Sequence, residues 1–236
     1  MALPALVFVG LLLVVLGILA GGSIPVRGAG RAVPGGRRHR AGAELAQALM
    51  PTRSEALDLL HAWNANPSLR KHGVLVEAGV RGYARDAGLD PETVDAWGMA
   101  GLLHDLDYER FPDASTHGAI GADELARLDY PAEVVHAVRA HSDQLGVPRE
   151  SRLDHLVYAC DELAGFLVAV ALMRPSRLLA DVEPVHVRKR MKDKAFARAV
   201  PREMLLAGAA ELGLEFDEHV VRMVRYLAEV APAVGL

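Results

Sequence analysis

The stretch AGLLHDLDYERFPD, residues 100–113, decides how this chain is interpreted. Its first four residues are small or apolar, which is typical of the end of a buried helix. His104 and Asp105 follow side by side, and a second carboxylate comes at Asp107. Burying an unpaired charge is costly, so such groups are normally paired or bound to a metal. We therefore expect other parts of the chain to supply partners for His104 and Asp105.

The composition of the 236-residue chain is that of a globular protein with a sizeable core, with 51% hydrophobic and 24% charged residues. A single cysteine, Cys160, rules out an intramolecular disulfide and a cysteine-based zinc motif. The net charge is −4 in total and +4 over residues 1–50, so residues 51–236 carry −8. Non-specific nucleic-acid binders present a basic face, so this acidic body does not suggest one. No specific nucleic-acid partner is predicted either.

The first 22 residues contain no charged side chain and are long enough to span a bilayer. Five arginines follow between residues 27 and 40, and this positive charge favours a cytoplasmic location for the following domain. Three interpretations stay open: a membrane anchor, a signal segment cleaved near residue 22, or a misplaced start with Met50 as the first residue. Residues 23–49 are predicted to be a flexible basic linker. We expect a protein that is cytoplasmic, or membrane-anchored with its main domain on the cytoplasmic side.

From Pro51 onward the pattern is helical. Prolines recur where a first helical turn would begin, as at Pro67 after Asn66, and Asn is a good N-cap. Apolar residues recur at helical spacing, and no alternating run demands a sheet. The pattern predicts an all-α fold, a compact helical bundle over residues 50–236, with helices at 52–65, 68–87, 91–104, 117–128, 131–142, 151–173, 184–198, 201–212 and 217–230.

The most apolar predicted helix, 151–173, carries Asp161 and Glu162 in a run that is otherwise nearly all core. A helix this apolar is buried on most faces, so a carboxylate in it needs a partner. An ordinary salt bridge from Asp161 to Arg139 or Arg174 is one explanation. Glu162 is either a supporting acid or part of the far side of the helix.

Four histidines and two aspartates form an ordered series along the chain: His72, His104, Asp105, His117, His141 and Asp161. The series resembles the HD superfamily of metal-dependent phosphohydrolases, whose pattern is H…HD…H…H…D on an all-α scaffold. The resemblance covers about residues 53–230, and GLLHDLDY is typical of the smaller HDIG-type proteins. This chain has Leu106-Asp107 where Ile-Gly would stand, and it lacks the lysine and GYP motif of the cyclic-di-GMP-specific branch. That substrate is therefore not implied.

The resemblance implies that a first divalent ion is held by His72, His104, Asp105 and Asp161, and a second by Asp105, His117 and His141. Superfamily members with only H…HD…D bind one ion, so His117 and His141 favour a dinuclear site over a mononuclear one. Imidazole and carboxylate ligands suit Fe, Mn, Zn, Ni, Co or Mg. Two such ions activate a water and stabilise an in-line phosphoryl displacement. The expected reaction is hydrolysis of a phosphoester in a small phosphorylated substrate, such as a nucleotide, by metal-activated hydroxide.

Further catalytic and supporting residues are expected near this ligand set. Besides His104 and Asp105, the hypothesis adds Lys192 or Lys194 as a contact to a substrate phosphate. Both lysines lie in the one basic cluster of the acidic domain, residues 187–198, for which an ordinary solvated face is the default. Asp107 and Tyr108 are candidates for orienting the ligands, although Asp107 alternatively caps or solvates the loop.

A phosphoester hydrolase leads over two alternatives. One is a di-iron oxygenase, which some superfamily members are on the same scaffold. The other is a non-catalytic signalling or binding module, a class that typically loses ligands, whereas this chain keeps all six. The remaining histidines are interpreted as surface or packing residues, and they are His61, His136, His155, His186 and His219.

Overall fold

The computed structural model describes residues 50–236, and the predicted apolar segment 1–22 and linker 23–49 lie outside this range. The described residues form nine α-helices and no strand, which confirms the predicted all-α class. Short 3-10 turns lie at Asp143–Leu145, Leu179–Asp181 and Ala231–Val234. The helices are α1 (Arg53–Trp63), α2 (Pro67–Asp86), α3 (Pro91–Leu103), α4 (Ala119–Arg127), α5 (Ala132–Ala140), α6 (Arg152–Leu172), α7 (Pro184–Met191), α8 (Arg202–Glu211) and α9 (Phe216–Val230).

Capping residues in the sequence set several of the helix starts. The side chains of Asn66 and Asp90 accept hydrogen bonds from the first turns of α2 and α3, each directly before a proline. Thr52 and Ser151 form capping boxes at the starts of α1 and α6. Because these signals are local, all nine predicted starts lie within two residues of the observed ones.

The predicted helix 184–198 is too long, because α7 ends at Met191. The carboxylate of Asp193 accepts hydrogen bonds from the backbone N–H groups two and three residues further on, at 3.0 and 3.2 Å, in place of another helical turn. The guanidinium of Arg202 then satisfies the carbonyl groups that this loop leaves free. It donates to the carbonyl oxygens of Met191, Asp193, Phe196, Ala197 and Val200.

Helix α6 is the central element of the core and packs against α2, α5 and α8. Its side chains include fully buried Leu156, Leu163 and Phe166. Within the described residues it is the one helix long and apolar enough to cross a bilayer, but 78% of its most apolar window is buried inside the domain. The apolar composition is therefore accounted for by packing, as in a core helix.

Helices α2 and α3 approach each other closely where glycines remove the side chain. A Cβ atom on Gly73 would lie 2.6 Å from the carbonyl oxygen of Leu102, and one on Gly101 would lie 3.0 Å from the backbone of α2. Neither position has room for a larger residue. Gly73 follows His72, and the close approach brings the rings of His72 and His104 to 5.0 Å between centroids.

His219 on α9 is a fully buried packing residue with both ring nitrogens satisfied. Its Nε2–H donates to the carbonyl oxygen of Ala159 at 3.0 Å, and its Nδ1 accepts from the hydroxyl of Tyr83 at 2.6 Å. Burial lowers the pKa of His219 to about 4, because the charged form would lose its hydration. The neutral imidazole is thus part of the folded core.

We expect the free energy of unfolding to fall as the pH drops below about 6.5, the pKa of His219 in the unfolded chain. The unfolded state binds the proton first, so this contribution is complete above pH 6.5 and is lost progressively toward pH 4. It amounts to about 3 kcal/mol. His219→Gln keeps a donor and an acceptor but does not titrate. Urea unfolding at pH 4.5 and 7.5 should show a weaker pH dependence in this variant, and an unchanged dependence would contradict the assignment.

Candidate metal centre

The six predicted ligands come together from distant parts of the chain. Three of them lie at or just after helix ends, since His104 and His141 are the C-cap residues of α3 and α5 and Asp105 follows His104. His117 lies in the connection before α4, whereas His72 and Asp161 project from within α2 and α6. The buried ligands are His72, His104, Asp105 and His141, and the partly buried ones are His117 and Asp161.

The first group of ligand atoms surrounds Asp161. The Oδ1 atom of Asp161 lies 2.9 Å from Nε2 of His72 and 3.3 Å from Nε2 of His104. These three side chains offer ligand atoms that all lie within 4.8 Å of one another. The Oδ2 atom of Asp105 completes the group, at 3.5 Å from His104 Nε2 and 3.8 Å from His72 Nε2.

The second group lies on the other oxygen of Asp105. Its Oδ1 atom is 3.1 Å from Nε2 of His117 and 3.8 Å from Nε2 of His141. The two Nε2 atoms are 3.1 Å apart, and the three ligand atoms again lie within 4.8 Å of one another. Asp105 is therefore the residue that both groups share, one through each carboxylate oxygen.

Hydrogen bonds at Nδ1 direct the other ring nitrogen of two histidines inward. Nδ1–H of His104 donates to the carbonyl oxygen of Gly101 at 2.8 Å, and Nδ1–H of His141 donates to Val138 at 2.6 Å. Each bond leaves an Nε2 lone pair facing the cluster, as metal-bound histidines require. Nε2 of His104 is buried with no hydrogen-bond partner among the described residues. Such an orphaned acceptor, together with the donor set, fits a bound cation.

Asp107 is fully buried and orients His117. Its carboxylate accepts from Nδ1–H of His117 at 3.0 Å and from the backbone N–H groups of Gly118 and Gly121 at 3.0 and 2.7 Å. The residue thus caps the start of α4 and fixes the ring in one arrangement; the alternative of a solvated loop residue is wrong. Gly118 has a φ of 85°, and a Cβ there would lie 3.1 Å from the ring of His141.

The charges of the cluster shift the pKa values of its members in opposite directions. Burial alone would lower the pKa of His117, but the carboxylates of Asp105 and Asp107 raise it to about 10. Burial would raise the pKa of Asp105, yet His104, His117 and His141 hold it well below its usual range. Burial would likewise raise the pKa of Asp161, but His104 and His72 lower it. The buried carboxylates thus stay ionised, and a metal ion competes with imidazole protons to neutralise them.

A cavity of about 240 Å³ opens beside the cluster. Tyr108 lines it, with its ring edge-to-face on His117 at 5.1 Å between centroids. Partly buried Glu162 also lines it, where burial and the charges of Asp161 and Asp105 hold the pKa of its carboxyl well above the usual range. Glu162 therefore faces the site and not the far side of the helix. The other wall residues besides the ligands are Pro112, Ala114, Ser142, Asp143, Gln144, Gly165, Val200, Pro201 and Met204.

Two expectations from the sequence have a different outcome. Asp161 faces His72 and His104, and Arg139 pairs with Asp123, so the ordinary salt bridge for Asp161 is wrong. Lys192 and Lys194 are exposed and do not line the cavity, whose wall contains no lysine or arginine. A phosphate contact from these lysines stays a prediction for a surface outside the cavity.

Most of the non-ligand wall was not found from the sequence. It comes from three connections that carry no periodic pattern, and their convergence depends on packing between helices distant in the chain. The one readable signal was the position of Ser142 directly after the ligand His141.

The family model described as "HD domain" matches residues 70–165, a span that contains all six ligands. The chain therefore carries an HD domain. The resemblance to HD domains is thereby confirmed for residues 70–165, from α2 to the middle of α6.

Three curated relatives of this HD domain all have the name Ribonuclease Y. The protein of Cutibacterium acnes is 30% identical over 144 residues, covering 58% of this chain and 25% of the relative. That of Lawsonia intracellularis is 33% identical over 99 residues, covering 40% and 18%, and that of Desulfotalea psychrophila 31% over 136 residues, covering 54% and 24%. The chain thus spans a quarter or less of these relatives. The comparison with solved structures gave no significant match.

We expect Asp107→Asn to weaken metal binding at the group of Asp105, His117 and His141. The carboxylate receives three N–H donors, and an amide NH₂ would face one of them, so the ring of His117 would lose its fixed orientation. Losing such support typically lowers metal affinity about 10- to 100-fold. Calorimetric titration with Mn²⁺ should show one weakened and one unchanged binding event. Asp123→Asn, an exposed control, should bind like the wild type, and equal affinities in all three proteins would contradict the role of Asp107.

Proposed function

We propose that this domain is a metal-dependent phosphohydrolase that cleaves a phosphoester of a nucleotide or nucleotide chain. The observation that carries the proposal is the position of Asp105 between two groups of nitrogen and oxygen ligands. A shared carboxylate of this kind suits two divalent ions held side by side. One group contains His72, His104 and Asp161, and the other contains His117 and His141.

The chemistry divides between the ions and the residues of the chain. When bound, one or two divalent ions would lower the pKa of a water molecule and stabilise charge on the phosphoryl oxygens. His104 and Asp105 would hold the first ion, and the Nδ1 hydrogen bonds of His104 and His141 keep their rings from turning away. Tyr108 and Glu162 lie in the cavity wall, where they would contact a bound substrate.

The cavity has a size that suits one phosphate group and the atoms next to it. Its volume of about 240 Å³ is small for a ligand pocket, since drug-sized ligands usually occupy roughly 300–1,000 Å³. Val200, Pro201 and Met204 make part of its wall apolar, which suits contact with the uncharged part of a substrate. The relatives named Ribonuclease Y support a nucleotide-type substrate, because RNA is a chain of phosphodiesters.

For the N-terminal part of the chain we propose that residues 1–22 anchor the protein to a membrane. The arginines that follow keep residues 50–236 on the cytoplasmic side. This proposal rests on the amino-acid sequence alone.

We expect the wild-type chain to bind close to two equivalents of metal and to hydrolyse bis(p-nitrophenyl) phosphate after loading with Mn²⁺. His117→Ala removes a ligand of one group only, so the metal content should fall toward one equivalent. Its hydrolysis rate should fall by at least about 100-fold, because mutation of a residue that only supports a metal ligand already costs about 10- to 100-fold. His61→Ala, which removes an exposed histidine outside the site, should change neither quantity. Elemental analysis and the rate of nitrophenol release measure both.

Other outcomes of this experiment select the alternatives. One equivalent in the wild type, unchanged by His117→Ala, would contradict the dinuclear site and indicate a mononuclear enzyme. No metal after reconstitution with iron, manganese or nickel would contradict catalysis and leave a binding module. Oxygen consumption by the iron-loaded protein without phosphoester hydrolysis would indicate a di-iron oxygenase.

A further inference from the structure

We propose that residues 189–198, called here the basic segment, bind the sugar-phosphate backbone of single-stranded RNA where it leaves the cavity. The inference rests on the proposed phosphoester hydrolysis and specifies its substrate as a polynucleotide chain. It differs from the expectation that no specific nucleic-acid partner is predicted for this acidic domain. Net charge describes the whole surface, whereas a polyanion responds to the local one.

Four of the five cations of the basic segment are unpaired. Lys189, Lys192, Lys194 and Arg198 are exposed, and within residues 50–236 none of them has an ion pair or a hydrogen bond from its side chain. The one acid of the segment, Asp193, lies 3.7 Å from Arg190. Cations gathered without counter-charges repel each other, and a bound polyanion relieves this repulsion. The counterions that the polyanion releases also favour binding.

Several other exposed arginines of the domain are paired, unlike most cations of the basic segment. Arg127 contacts Glu124 at 2.7 Å, and Arg188, directly before the segment, contacts Asp217 at 2.7 Å. Within residues 50–236 the exposed Arg152 and Arg177 also have no ion pair, so the basic segment is distinguished by gathering four unpaired cations within ten residues.

The basic segment adjoins the cavity wall through the residues that follow it. The ring of Phe196 packs edge-to-face on Phe166 of α6 at 5.4 Å between centroids, and Phe166 follows Gly165 in the cavity wall. Val200 and Pro201, which directly follow the segment, line the same cavity. Hydrogen bonds from Arg202 to carbonyl oxygens along the loop hold its backbone in one conformation. The backbone of the basic segment thus leads directly into the cavity wall at Val200 and Pro201.

The cavity itself offers no cation to a long polyanion. Its wall contains no lysine or arginine, and Asp143 and Glu162 add negative charge around the ligands. Metal ions would account for one phosphate only, so the remaining phosphates of a chain must be neutralised outside. Lysine and arginine side chains supply this backbone contact in nucleic-acid interfaces. A mononucleotide would leave the basic segment unused.

The test is binding of a fluorescein-labelled 20-nucleotide oligouridylate to the full chain, measured by fluorescence anisotropy with EDTA present to prevent turnover. Lys194→Glu should weaken binding roughly fivefold to tenfold at about 0.1 M salt, and should reduce the slope of log affinity against log salt by at least about 0.7. Lys194→Arg, which keeps the charge, should bind like the wild type.

Arg152→Glu is the matched control, because Arg152 is also exposed and precedes Asp161 by nine residues, which places it on the opposite face of α6. It should change the affinity by less than about twofold.

Equal affinities of the wild type and Lys194→Glu would overturn the inference, as would equal losses in Lys194→Glu and Arg152→Glu. The same variants are also tested for binding to phosphatidylglycerol vesicles. A loss of vesicle binding with unchanged RNA binding would overturn the inference in favour of a membrane surface. Because EDTA removes the hydrolysis step, failure of the proposed reaction would leave this binding result interpretable.

Discussion

The carboxylate of Asp105 is the group on which the rest of the site depends, because one of its oxygens faces His104 and the other faces His117. An ionised carboxylate this deeply buried requires positive charge on both sides. Helices α3 and α5 meet this requirement by ending at the site with His104 and His141, and α2 brings His72 beside them, while α6 adds the second carboxylate, Asp161. The glycines at the contact of α2 and α3 allow the close approach that places His72 against His104. Packing and chemistry thus impose one constraint on the same helices.

Orientation of the ligands depends on a layer of hydrogen bonds behind them. Two histidines use carbonyl oxygens three residues earlier in their own helices, which any helix end provides. His117 precedes its helix and has no such carbonyl, so Asp107 takes this role and also caps α4. The departure from the HDIG form at Leu106-Asp107 therefore has a structural consequence in this chain, because the carboxylate connects one ligand to the start of the next helix.

Local signals in the sequence were sufficient for most of the fold. Caps and prolines predicted the helix starts, and apolar spacing predicted the all-α class, because these effects act within one or two turns. The predicted end of α7 is wrong because Arg202, eleven residues after Met191, holds a loop in place of the helix. The ordered ligand series was readable, but the cavity wall was not, since it arises where unrelated connections converge. The buried role of Asp107 and the placement of the basic segment likewise required the tertiary structure.

The central claim is that Asp105 joins two metal positions, and anomalous diffraction from a crystal grown with Mn²⁺ tests it most directly. The account predicts two anomalous peaks, one beside each oxygen of Asp105, with His72, His104 and Asp161 around the first and His117 and His141 around the second. A single peak at the first position, with His117 and His141 still in contact with each other, would contradict it.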